Sequence, residues 1–82
     1  MPNLFEYEGE LIAEQPELRY WRFDERRGWV AFLDHLRVWH DSDKIDEDRA
    51  IDLIQTMRNP DTGLNFSFEQ ARAKLVNLAA LK

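Results

Sequence analysis

All three tryptophans and five of the eight arginines of this 82-residue chain stand in one stretch, RYWRFDERRGWVAFLDHLRVWH, from Arg19 to His40. A domain this short buries only about 60–65% of the surface its unfolded chain exposes, so it needs a dense core. Most of the large rings that can supply one are in this stretch. The spacing of Trp29, Phe32, Leu33, Leu36 and Trp39 is helical and predicts a helix over about 26–40, ended by the charges from Asp41 to Lys44. Before Gly28, LRYWRF is rich in residues that favour a pleated surface. It reads as a strand followed by a DERRG loop, in preference to a helix extended back through Trp21 and Leu18. Trp21, Trp29, Phe32, Leu33 and Leu36 are the expected core.

The last third of the chain has clearer punctuation. In NFSFEQARAKLVNLAALK, Ser67 followed three residues later by Gln70 is a capping-box pattern, with Phe66 one residue before the cap. Phe68, Ala71, Leu75, Leu78 and Ala79 fall near one face at helical spacing, which predicts a helix over about 67–81. Upstream, Ala50, Ile51, Leu53, Ile54 and Met57 form another stripe. Asp46, Glu47 and Asp48 precede it, where the helix dipole favours negative charge. This predicts a helix over about 46–58. RNPDTG, between the two, is turn chemistry.

Residues 4–14 fit two patterns. Phe5 and Tyr7 alternate with Glu6 and Glu8, and Gly9 can turn the chain into ELIA as a hairpin; Leu4, Tyr7 and Leu11 also fit a helix weakened by Gly9. The expected fold is mainly α, with α+β as the alternative. Three helices (about 26–40, 46–58 and 67–81) carry a small N-terminal strand or hairpin, in a single domain over 1–82.

Charge is distributed in blocks. Residues 1–17 carry five glutamates and no cation, and residues 41–52 carry six acids against Lys44 and Arg49. The arginine-rich segment lies between them, in a chain of net charge −5. A nucleic-acid binder normally gathers a basic face on a neutral or basic domain, so direct nucleic-acid binding is the less favoured expectation. The chain has no cysteine, which leaves neither disulfides nor thiolate metal sites. Its opening residues lack a signal-peptide pattern, and its apolar runs are too short for a membrane span. Cytoplasmic location without membrane association is the expectation.

No residue set points to catalysis, a metal or a cofactor. A calcium loop beginning at Asp41 would need oxygen ligands where Ile45 and Arg49 stand, and glycine where Asp46 stands. His35 and His40, five apart, lie on different sides of a helix and do not pinch a metal from one face. Asp34 and His35 are adjacent and project apart, and glycine is too scarce for a phosphate cradle. RNPDTG resembles the R-N-P-x-T-G arm tip of bacterial histone-like DNA-bending proteins, in which the proline wedges between base pairs. The likeness covers six residues. The family's preceding strands and glycine-rich approach are absent, and Asp61 adds negative charge, so it implies a shared turn chemistry. The connection between the last two helices is also longer than the turn of a helix-turn-helix.

Tryptophan, tyrosine and arginine are the types enriched at protein–protein hot spots. Arg19, Tyr20, Arg22, Arg26, Arg27 and Trp39 are therefore candidate contacts for an acidic partner through forked hydrogen bonds and stacking. Glu6, Glu8, Glu10, Asp41, Asp43, Asp46, Glu47 and Asp48 are candidates for contact with a basic one. The function expected is that of a small acidic protein-interaction domain, an inhibitor or adaptor that occupies a basic nucleic-acid-binding groove. The compositional analogy is with accessory proteins of bacteria and phages. Direct nucleic-acid binding through 19–39, and self-assembly into a homo-oligomer through Trp29 and Trp39, are the alternatives.

Overall fold

The computed structural model describes residues 3–15, 19–32 and 41–80. Four strands form an antiparallel meander: β1 (Asn3–Tyr7), β2 (Glu10–Gln15), β3 (Arg19–Asp24) and β4 (Gly28–Ala31). The short β5 (Lys44–Ile45) then pairs with β1 at the opposite edge, giving the order β4-β3-β2-β1-β5. Two helices follow, α1 (Glu47–Gln55) and α2 (Phe68–Val76), the second continued by a 3-10 turn at Asn77–Ala80.

The domain is thus a sheet-rich α+β fold, which corrects the expectation of a mainly helical chain with three helices. The error lies in the helix placed over about 26–40. Arg26 and Arg27 stand in a turn and Gly28–Ala31 is a strand, while residues 33–40, including Trp39, lie outside the described residues. A short apolar run cannot be assigned to helix or strand by spacing alone. Here Gly28 decides, because its φ of 74° starts the strand from a left-handed conformation that a helix cannot pass through. The other two helices are shorter than predicted; α2 stands on its expected cap, and the acidic start expected for α1 supplies its cap. Asp46 accepts the Arg49 N–H at 2.8 Å, and Ser67 and Gln70 exchange both bonds of a capping box, at 3.2 and 3.0 Å. α1 stops at Thr56, whose hydroxyl turns back onto the Leu53 carbonyl at 2.6 Å.

Both helices lie on one face of the sheet. Leu4, Leu11, Ala13 and Phe23 from the strands meet Ala50, Ile51, Leu53, Ile54, Phe66, Ala71, Leu75 and Leu78 from the helical layer. Trp21 and Trp29 pack at the rim of this core rather than at its centre; the buried rings in it are Phe23 and Phe66. Phe68, expected on the core face of α2, is 51% exposed. On the other face of the sheet Phe5 and Ile12 are also buried, so Leu11, Ile12 and Ala13 are buried in succession. A central strand covered on both sides loses its in–out alternation.

The β1–β2 turn is the conformationally demanding point. Glu8 and Gly9 both have positive φ, 49° and 79°, as the two-residue hairpin turn that matches strand twist requires. Glutamate is a poor occupant of such a position and asparagine a good one. Glu8→Asn is expected to stabilise the fold by a few tenths to about 1 kcal/mol in urea titration. Ile54→Ala, which empties a site with no exposure, is expected to cost about 2–5 kcal/mol. Leu64→Ala, at 71% exposure, should stay within about 0.5 kcal/mol of the parent.

Candidate interaction surface

Strand direction fixes where each charged group stands. The Glu8–Gly9 turn, the turn between Asp24 and Gly28, and the Arg58–Asn65 loop share one end of the sheet. Asn3, Gln15, Arg19 and Asp46 stand at the other. α1 runs back along β1, and α2 lies over β3 and β4. The second placement rests on the Trp29 indole N–H, which donates to the Lys74 carbonyl at 2.9 Å, and on the Phe23–Phe66 ring contact.

The candidate arginines do not form one patch. Arg19 is exposed at one end of β3, whereas Arg26 and Arg27 are exposed in the turn at the other end. That turn is organised by Asp24, whose Oδ2 accepts the Arg26 and Arg27 main-chain N–H groups at 3.2 and 2.8 Å. These bonds, Arg27's first, outweigh desolvation and hold the Asp24 carboxyl below its ordinary range. Arg22, between the ends, points to the sheet face away from the helices and is 3.5 Å from Glu10. Tyr20, half-buried on the same face, donates its hydroxyl to Glu14 Oε2 at 2.8 Å. Trp39 lies outside the described residues.

A small cavity of about 130 Å³ opens between the β3–β4 turn and the Arg58–Asn65 loop, with Phe23 and Phe66 among its walls. Arg26, Arg27 and Lys74 line it, but so do Glu25 and Asp61, so its charges nearly balance. Glu25 is already engaged by the Arg58 main-chain N–H at 3.0 Å. RNPDTG is a closed turn. Asn59 accepts the Thr62 and Gly63 N–H groups on its carbonyl and the Asp61 N–H on its side chain. Among the described residues no group of three or more His, Asp or Glu side chains is arranged to hold a metal ion, and no helix is long and apolar enough to cross a membrane.

The acidic candidates fall together only in part: Glu6, Asp43, Asp46, Glu47 and Asp48 lie along β1, β5 and the start of α1, whereas Glu8 stands at the opposite end of the sheet from Asp46 and Glu10 is on β2. Glu6 is spent internally: Arg49 donates to both its oxygens, at 2.9 and 3.0 Å. Glu8 is exposed in its turn and Glu10 faces Arg22. Asp41 begins the 3-10 turn Asp41–Asp43 that precedes β5. Asp46 is exposed and caps α1, with Glu47 half-buried and Asp48 exposed in the first turn. One further acid belongs to this set; it closes the acidic block 41–52 of the sequence but was not singled out as a contact. Asp52, exposed and four residues after Asp48, continues the row along α1, and that spacing was its legible signal. Among the described residues Asp43, Glu47, Asp48 and Asp52 make no close ion pair; Arg49 is held by Glu6 and attracts Asp52 only at longer range.

The Arg49 hydrogen bond lowers the Glu6 pKa below the ordinary 4.5, against a smaller opposing desolvation. The pair therefore stabilises the fold above the unfolded glutamate's pKa, and that contribution is lost as pH falls through the folded one. Carboxyl NMR should find the Glu6 midpoint below 4.5, rising toward it in Arg49→Met. Tyr20 behaves in the opposite sense. Burial, then the bond to Glu14 and that carboxylate's charge, raise its pKa from 10.0 to about 12. Its contribution is intact below pH 10 and disappears as pH rises through 12. Phenolate absorbance should resolve one tyrosine with a midpoint near 12, displaced downward in Glu14→Gln. Comparison with protein-family models, with curated proteins and with solved structures finds no match for this chain.

Proposed function

We propose that the chain is a non-enzymatic interaction domain. It docks the acidic side formed by Asp43, Asp46, Glu47, Asp48 and Asp52 onto a basic surface of a macromolecular partner, as an inhibitor or adaptor does. The observation that carries this reading is the row of carboxylates along α1, which make no close ion pair among the described residues. Like charges four apart on a helix, as at Asp48 and Asp52, cost stability rather than add to it. Among the described residues, Asp46 is the one of the five that serves the fold by a hydrogen bond, as the cap of α1. A face of this kind steers a basic partner and holds it in a salt-dependent way. A partner whose own ligand is nucleic acid presents such a basic groove, and the acidic row competes for it.

The arginine stretch is a weaker basis for direct nucleic-acid binding. Arg19 and the Arg26–Arg27 turn are at opposite ends of β3, and Arg22 between them has Glu10 beside it. A backbone-tracking contact needs neighbouring cations.

The test is affinity capture from an extract of the source cells, using the parent chain and the charge-reversed Asp48→Lys/Asp52→Lys double variant side by side. The parent should retain a dominant protein that high salt releases. The variant, folded by circular dichroism because both positions are exposed, should retain at least roughly tenfold less. Equal capture by the two chains, or capture indifferent to salt, would show that the acidic row is not the contact.

A further inference from the structure

The geometry points to the free edge of β4 as a self-association surface, on which a second copy of this chain pairs antiparallel through its own β4. Among the described residues β4 is the outermost strand on its side of the sheet. Its hydrogen bonding to β3 is fixed by the Phe32 N–H, which donates to the Tyr20 carbonyl at 2.9 Å. Because a strand's main-chain groups alternate, Val30 and Phe32 turn theirs toward β3, and Trp29 and Ala31 turn theirs outward. Among the described residues nothing pairs with those outward N–H and C=O groups. Ala31 is exposed, and Gly28, Trp29 and Val30 are only partly covered.

The strand itself carries none of the side-chain devices that keep identical strands apart. GWVA carries no lysine, no proline and no inward-pointing charge. β5, the other edge, is two residues long and begins with Lys44.

The occupant is argued from the side chains. A twofold axis through Val30 sets Trp29 opposite Ala31 of the other copy, and Gly28 opposite its Phe32, while Val30 meets Val30. Each large ring then faces a small residue, and each outward N–H meets an outward carbonyl. Cross-strand pairs of this kind are what stabilise a ladder. The Trp29 indole stays on its own Lys74 carbonyl, so pairing does not require the core to open. The surface is separate from the acidic side, which lies at the other edge of the sheet.

The experiment is sedimentation equilibrium on the full chain across concentration, with amide hydrogen exchange under the same conditions. The parent should approach twice its monomer mass at high concentration, with the Trp29 and Ala31 amides protected there and exposed on dilution. Ala31→Pro removes an outward donor without touching the bonds to β3, a position where an edge strand tolerates proline. Ala31→Lys places a charge on the edge and leaves the backbone unchanged. Each should raise the dimer dissociation constant at least roughly tenfold, with the circular dichroism spectrum of the parent retained. The lysine variant carries the test if the proline variant does not fold. A parent that stays monomeric at every concentration would overturn the proposal and leave the edge to a strand of a different protein. A dimer whose Trp29 and Ala31 amides remain exposed, or which Ala31→Lys leaves intact, would overturn it as well.

Discussion

The contact of Phe23 with both Trp29 and Phe66 holds the two layers of this domain in register. Phe23 meets Trp29 edge-on at 5.2 Å within the sheet and Phe66 edge-on at 5.9 Å across the layers. Such pairs add about 0.5–1.5 kcal/mol to what burial of the rings provides. They also place the start of α2, because Phe66 immediately precedes the Ser67 cap. The far end of α2 is fixed by polar atoms. A helix leaves its last carbonyls without partners, and here the sheet supplies two donors: the Trp29 indole for Lys74, and the Gln15 amide for Leu78. Gln15 in turn accepts the Trp21 indole at 3.0 Å. Two of the three tryptophans thus work by both their surface and their N–H, which is why they sit at the rim of the core and not inside it.

That arrangement bears on what was readable from the residues alone. Caps and turns are local chemistry: the Ser67–Gln70 box and the RNPDTG turn were visible as such, and Asp46 was visible as part of an acidic helix start, though not as the cap itself. The strand in LRYWRF and the hairpin about Gly9 were also accessible, as one reading of two. β4 was hidden, because its apolar residues join those after it into a helical spacing, and only pairing with β3 makes it a strand. β2 was faint for the opposite reason: Leu11, Ile12 and Ala13 are buried on both faces and leave no alternation to detect. Of the surface, the acidic blocks were legible by composition. The committed state of Arg49 was not, because Glu6 is 43 residues away and meets it only once β5 has carried the chain back beside β1.

The same fold sorts the charges by function. An acidic run in sequence is usually a solvated face with its counter-charges interleaved. Here the interleaved cation is shared: Arg49 bridges to Glu6 on β1 while still attracting Asp52, and Asp48 and Asp52 stand exposed. Arg49 is the one cation of α1 against Glu47, Asp48 and Asp52, so this helix is acidic from the outset, and the Glu6–Arg49 fork joins it to the sheet. Arginine suits that fork better than lysine, since its planar donors meet both carboxylate oxygens together.

The two edges of the sheet are accordingly unlike, and the difference decides what kind of assembly the fold permits. A sheet with two open edges extends without limit, whereas one open edge closes after a single twofold pairing. β5 offers only two residues, beside carboxylates that repel an identical copy of themselves. β4 offers four uncharged residues and no repulsion. Pairing through β4 therefore stops at two chains and holds the acidic sides at the two outer edges of the joined sheet. A basic partner with repeated sites would then be met by two acidic rows at a fixed separation. Bivalent contact of that kind raises affinity without any new residue at either row.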